Sequence, residues 1–492
     1  MKTDPAGLLH HAALAAEGGD AWQASVLLRE LLAFPGRLGE GWARAVQVAE
    51  RIADDGAAVA AARRLRGEAP SDVQAAFVLA SALTEAGQAD EAVELLLPLA
   101  DRGLLAPNQN FKLTRMLMFT GQIDEAQRRA RALLASNPGS PTLWERIAQT
   151  KSFVAGDPDI AAMRRLLDRT PRDRPAARSA IAAALAKACV DTGDDGAAEA
   201  ALEAQAEAQR RRFPFDREAW LRAARATLDA FRALPTATDG EAAATGTRPI
   251  FIIGPPRSGT SLLDQVFSRH PWIKGGGELR AFALASCVLG GWTARDVQAW
   301  LERAAAEGLD PWREIGLRYL ARTEERFGTG AHFTDKLLSN LHRVGAIVRA
   351  LPGAPVIHLE RDPLDVAWSC WRARFDAESA WSASPEGIAC FLGFFAEAMR
   401  TWHELHPGRI FTVAYEDLVR APAATIPRVL AACGLPDDPA TREPHLSRRP
   451  VSTISYAQVR EPIHARRVNA ARDFPRATRR LAAALEREGL LG

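Results

Sequence analysis

Four small residues, Gly19, Ala53, Gly87 and Gly121, stand at intervals of 34 along the chain, and five positions after each comes an alanine: Ala24, Ala58, Ala92 and Ala126. Small residues in fixed phase point to a tight turn followed by a close approach of two helices. The phase continues more loosely at Gly156 with Ala161 and at Gly193 with Ala198, and Pro35, Pro70 and Pro138 close several units. The segments TEAGQADEAVELL (84–96) and FTGQIDEAQRRARALL (119–134) are nearly the same text. Apolar residues at helical spacing, Leu79, Ala80 and Leu83 and then Val93, Leu96 and Leu97, fill the space between the two helices of a unit. One hairpin cannot bury its apolar face alone, so the units must stack. Residues 1–207 are therefore expected to be an all-helical repeat array.

The period and the small positions resemble the tetratricopeptide repeat, without most of its large aromatic positions. That resemblance implies a helical solenoid. As function, the array reads equally as a spacer, as a dimerisation surface that would make the chain a homodimer, or as a groove holding an acceptor protein or peptide.

Composition narrows the rest. Apolar residues are 47% and charged residues 25% of the 492, which excludes a globally disordered chain. The 62 basic and 60 acidic residues leave a net charge of +2, so no general basic field exists to hold nucleic acid. The five cysteines are far apart and form no CxxC, as expected of free thiols in a reducing compartment without a zinc or disulfide framework. No apolar run reaches the length of a membrane span, and the first residues lack the charged-then-apolar pattern of a signal peptide. A cytoplasmic protein is expected.

Residues 208–247 read as a connecting helix and linker. Arg210, Arg211 and Arg212 make a solvated helix end, and PTATDGEAAATGT (235–247) is small and polar. Residues 248–492 read as a second domain of α/β class with a central parallel sheet. It opens with the apolar run Ile250–Ile253, then GPPRSGTS (254–261), then Leu262, Leu263, Val266 and Phe267 at helical spacing. Strand, glycine-rich loop and helix aim backbone N–H groups and a helix N-terminus at an anion. Gly254 and Gly259 have the spacing of a nucleoside-triphosphate loop, but Thr260 stands where that loop has its lysine, and Arg257 offers a planar fork for an oxyanion.

The string PRSGTSLL after an apolar strand resembles the phosphosulfate-binding loop of the sulfotransferase family, whose donor is 3′-phosphoadenosine 5′-phosphosulfate (PAPS). Further stretches resemble the tyrosylprotein sulfotransferases and bacterial repeat-containing sulfotransferases. The resemblance implies that Arg257, Ser258, Gly259, Thr260 and Ser261 hold the 5′-phosphosulfate. After the apolar run Val356–Leu359 come Arg361, Asp362 as helix cap, Pro363, and Ser369 eight positions past the arginine. By resemblance Arg361 and Ser369 bind the 3′-phosphate. Arg372 and Arg374 flank a position where relatives carry another arginine, and neither is assigned. Glu278, after Gly275–Gly277, corresponds to the family's catalytic base, and an acceptor hydroxyl of pKa near 10 or above needs one. Lys336 in FTDKLLSN, with Asp335 and Asn340, corresponds to the lysine at the transferring group, Leu338 replacing the usual proline. His270 and His332 are alternative bases ranked below Glu278.

Tyr415 after the run Ile410–Ala414 corresponds to an adenosine contact. Ser455, in STISYAQVREPI, corresponds to a serine at the transition state, with the backbone around Gln458 and Arg460 over the adenosine phosphate of the donor. Relatives continue with serine, glycine and tryptophan where this chain has Arg467, Asn469 and Ala471, and Arg466, Arg467 and Arg472 are candidates to replace those contacts. The resemblance implies in-line sulfuryl transfer with PAPS as co-substrate and no metal. Two alternatives stand beside it: a divergent P-loop kinase, which needs ATP and magnesium, and a non-catalytic repeat scaffold with a relic nucleotide site.

Overall fold

The protein, described by a computed structural model, is defined over residues 4–235, 247–453 and 456–491. Thirteen α-helices lie between Pro5 and Arg232. The first twelve form six helix–turn–helix units, from Pro5–Glu17 with Ala21–Leu32 to Pro175–Asp191 with Asp195–Arg212. All six phased positions, Gly19, Ala53, Gly87, Gly121, Gly156 and Gly193, fall in the turns and have φ between 60° and 84°. That left-handed conformation is what selects glycine there. The next residue is often an aspartate, and Asp20, Asp54, Asp157 and Asp194 cap the helix that follows. Ala24, Ala58, Ala92, Ala126 and Ala198 are buried between paired helices. Ala161 is exposed, contrary to its phase; the helix Pro158–Arg169 starts two residues after its turn and packs through Met163 and Leu167 instead.

The second half holds a sheet of five parallel strands: β1 (Arg248–Ile253), β2 (Ile273–Lys274), β3 (His332–Asp335), β4 (Val356–Glu360) and β5 (Ile410–Ala414), in the order β2-β3-β1-β4-β5. β1 is central and buried along its apolar run, as a strand covered by helices on both faces must be. From β1 the chain goes to the edge strand β2, returns to β3 between them, and then crosses to β4 and β5 on the other side of β1. The crevice at the carboxyl ends of β1 and β4 is therefore the place where such a sheet takes a ligand.

Array and sheet share cores. The helix Arg217–Arg232 sends Leu228 and Phe231 into the core under Val344 and Trp402. The later repeats bury Leu185 and Leu202 with Trp368, Trp381 and Leu481 of the second half. The carboxyl-terminal segment contributes Val451, Tyr456 and Val459 to the core of the early repeats. Polar contacts join the same surfaces: Arg374 pairs with Glu145 at 2.6 Å, and Asp195 accepts from the backbone N–H groups of Arg476 and Ala477. Arg210 and Arg211 lie at an exposed helix end, with Arg210 reaching the carbonyl of Ala383. The linker of 235–247 falls almost wholly outside the described residues. Among the described residues no helix is long and apolar enough to cross a membrane.

Candidate active site

The loop after β1 runs into the helix Thr260–Ser268 with Gly259 at its N-cap, φ 107°. A Cβ on Gly259 would lie 2.5 Å from the ring of Tyr415, so the ring sits directly on the loop. Arg257 adopts φ 71°, which is uncommon for a side-chain-bearing residue and aims its guanidinium across to the helix after β4. Its Nε donates to Ser369 Oγ at 3.0 Å, and its carbonyl accepts from Arg361 Nη1 at 3.0 Å. Arg361 lies over the ring of Tyr415 at 4.4 Å, and its Nη2 donates to the carbonyl of Arg467 at 2.6 Å. Asp362 caps the helix Pro363–Trp371, as its position before Pro363 predicts.

Two arginines left open by the sequence are resolved here. Arg372 turns inward and Arg374 turns to the array's Glu145. Arg257, Arg361, Arg372 and Arg467 then form a cluster of like charges. Burial, followed by Arg257, Arg467 and Arg361, brings Arg372 down to about 9. Burial, with Arg467 and Arg361, brings Arg257 down to about 10. Such a cluster is stabilised by a polyanion. Ser258 Oγ, Arg361 Nε and Arg372 Nε are buried polar atoms with no partner among the described residues, as fits an anion site. Arg361, Ser369, Arg372, Gln458 and Arg467 line a cavity of about 270 Å³.

The carboxyl-terminal strap completes that cavity. Asp365 accepts from the N–H groups of Asn469 at 2.7 Å and Ala471 at 3.0 Å. Asn469 has φ 63°, a conformation that asparagine tolerates better than other side-chain-bearing residues, so a non-glycine residue is accommodated there. Gln458 faces the cavity. Arg460 does not: its Nη2 donates to the carbonyl of Phe119, and its guanidinium packs on the turn at Gly121. Arg460 thus holds the strap to the array through its side chain. Ser455 lies outside the described residues. Nearby, Ser261 Oγ is 3.2 Å from Thr453 Oγ1.

Lys336 follows β3 directly and is 1% exposed. Its Nζ pairs with Glu278 Oε1 at 2.5 Å, so the two residues expected to do the chemistry face each other. A buried ammonium needs such a partner. The Glu278 loop passes under β3: Gly276 N donates to Thr334 Oγ1 at 2.9 Å, and Lys336 N donates to the carbonyl of Gly277 at 2.8 Å. A Cβ on Gly276 would meet the Thr334 carbonyl at 1.9 Å, which explains the glycine run. Asp264 accepts from Thr334 and from Arg449 Nη1 at 2.7 Å; burial pushes its carboxyl up, but Arg449, Thr334 and Lys336 together outweigh burial and hold it below the usual range.

Neither histidine joins this group. His270 is buried with Nε2 3.2 Å from the carbonyl of Pro436, and His332 opens β3 at the amino end of the sheet, away from the loops. Among the described residues no cluster of three or more His, Cys, Asp or Glu could hold a metal.

Asp335 supports the turn that presents Lys336. It accepts from Leu337 N, Tyr319 OH and Asn340 Nδ2. Burial raises its carboxyl from 3.8 to about 7 despite those bonds. A value raised in the folded state gives stability that is complete at acid pH and lost as pH rises through about 7. Relative to wild type, Asp335→Asn should therefore gain on the order of 3 kcal/mol of stability between pH 5 and pH 8. Chemical denaturation of both proteins at the two pH values checks this, and a constant difference contradicts it.

Residues 249–439 match the model described as the sulfotransferase family. An uncharacterized protein of Aquifex aeolicus (strain VF5) is 32% identical over 224 residues, which cover 44% of this chain and 29% of that protein. The match thus spans less than a third of the relative's length. Similar solved structures include the sulfotransferase domain of the olefin synthase from Synechococcus PCC 7002, at 21% identity and TM-score 0.35, covering 50% of this chain and 98% of that one. The sulfotransferase domain from the curacin biosynthetic pathway is similar at 16% identity and TM-score 0.32, covering 49% and 98%. The stretch that matches the sulfotransferase-family model thus holds the central parallel sheet, and an all-helical region precedes it.

Proposed function

We propose that the chain is a PAPS-dependent sulfotransferase whose helical front half is a tetratricopeptide-type array that helps to hold the acceptor, a protein tyrosine hydroxyl being the example the resemblance suggests. The observation that carries the reading is the convergence of Arg257, Lys336 and Arg361 from the ends of β1, β3 and β4 beside a basic cavity, with Glu278 against Lys336. PAPS supplies an activated sulfuryl group, and the adenosine 3′,5′-bisphosphate formed is its leaving group. Glu278 takes the acceptor proton as the acceptor oxygen bonds to sulfur. Lys336, with Arg257 and the loop N–H groups, offsets the negative charge that grows on the departing oxygen. Arg361, Ser369 and Arg372 hold the 3′-phosphate, the group that separates this donor from ATP. Ser455 is assigned to the transition state by resemblance alone.

The acceptor side has support in the cleft of about 1170 Å³ between the halves. Phe111, Phe119 and Gln149 of the array line it opposite Glu278 and Lys336. Five free cysteines suit the cytoplasm. The purified chain, incubated with PAPS and a panel of hydroxyl acceptors that includes tyrosine peptides, should add one sulfuryl group to an acceptor, read by mass spectrometry. Bisphosphate release with no sulfated acceptor in any class, or no release at all, contradicts the proposal.

A further inference from the structure

The loop that carries Glu278 is held from two sides, and one holder belongs to the repeat array. On the inner side are the bonds to Thr334 and Lys336 and the side chain of Leu279, buried beside Phe282. On the outer side Arg280, two residues past Glu278, leaves the sheet domain and enters the array. Both ends of its fork meet one carboxylate: Nη2 donates to Asp55 Oδ1, and Nε lies 3.4 Å from Asp55 Oδ2. Asp55 is the first residue of the helix Asp55–Glu68, set immediately after the turn at Ala53 and the cap Asp54. The side chain of Asp55 is 20% exposed and that of Arg280 34%, so the pair is partly shielded from water.

The surroundings make the contact directional. Glu50 and Glu85 of the array also face Arg280, so this part of the array is an acidic seat for its guanidinium. Asp54 and Arg326 face Asp55. A second ion pair fastens the same surfaces independently: Arg29 spans Asp54 at 2.8 Å and Glu325 of the sheet domain at 2.6 Å. Removing the Asp55 carboxylate therefore leaves the array docked while releasing Arg280. Between Leu279 in the core and Arg280 in the array, Glu278 has little freedom to leave Lys336.

We propose that Asp55 is a positioning residue for transfer: through Arg280 the array fixes the loop that presents Glu278 to Lys336. This rests on the reading of Glu278 as base. The array is then a part of the catalytic geometry as well as one wall of the acceptor cleft. A displacement of about 1 Å at a reacting group can cost a hundredfold in rate, so a loop tethered on one side only should be measurably slower.

The test compares full-length wild type, Asp55→Asn, Asp55→Glu and Arg280→Ala. Amide hydrogen exchange at Gly275–Arg280 should quicken in Asp55→Asn and Arg280→Ala, with β5 unchanged. In both variants kcat should fall about tenfold while the affinity for adenosine 3′,5′-bisphosphate stays within about twofold, and Asp55→Glu should recover part of the rate. Unchanged exchange at the loop overturns the proposal, as does faster exchange with wild-type kcat. Failure of the transferase reading would be seen separately, as absence of bisphosphate binding by wild type, and the exchange rates would still decide whether Asp55 holds the loop.

Discussion

Glu278→Gln should lower kcat for sulfuryl transfer about a thousandfold and change the affinity for adenosine 3′,5′-bisphosphate by no more than about threefold. Glutamine keeps the shape of the side chain and an oxygen toward Lys336 Nζ, but it cannot take a proton from a hydroxyl. The effect should fall on kcat because Glu278 touches Lys336 and the acceptor cleft and lies outside the lining of the smaller basic cavity. Initial rates at saturating PAPS and calorimetry with the bisphosphate separate the two quantities. Retention of most of the wild-type rate would remove Glu278 as base. Because the substitution also takes a counter-charge from buried Lys336, a thermal melt should accompany the assay.

Arg361→Ala should weaken bisphosphate binding by about two orders of magnitude. The guanidinium is 7% exposed and spans the loop after β1, through the Arg257 carbonyl, and the carboxyl-terminal strap, through the Arg467 carbonyl. Its loss removes a charge from the phosphate site and also loosens both walls. Arg361→Lys should lie between wild type and alanine, since an ammonium supplies charge without the fork that reaches two carbonyls. Equal binding by all three proteins would show that the 3′-phosphate sits elsewhere.

Much of this site was legible because its residues sit at strand ends and helix starts, where local sequence fixes local geometry. The run Ile250–Ile253 with its glycine loop, and Val356–Leu359 followed by Arg361, Asp362 and Pro363, each announce a strand, a turn and a helix. The 34-residue phase was legible because each turn needs a left-handed residue. What stayed hidden depends on distant partners. β2 is two residues long and β3 has one apolar residue in four, so neither has a periodic signature. Arg372 and Arg374 are two positions apart on one helix end, and only the packed array decides that one faces the cavity and the other Glu145. Arg460 stands beside site residues in sequence, yet the core that buries Val459 turns its side chain to Phe119. The Asp55–Arg280 pair joins positions 225 apart in the chain, a separation at which no local pattern operates.

The most direct test of a PAPS-type donor site is calorimetric titration of the full chain with adenosine 3′,5′-bisphosphate, beside ADP with magnesium. The account predicts tight binding of the bisphosphate, lost in Arg361→Ala, and much weaker binding of ADP. Binding of ADP with magnesium and none of the bisphosphate would contradict it and point to phosphoryl transfer, and silence from both would leave a scaffold.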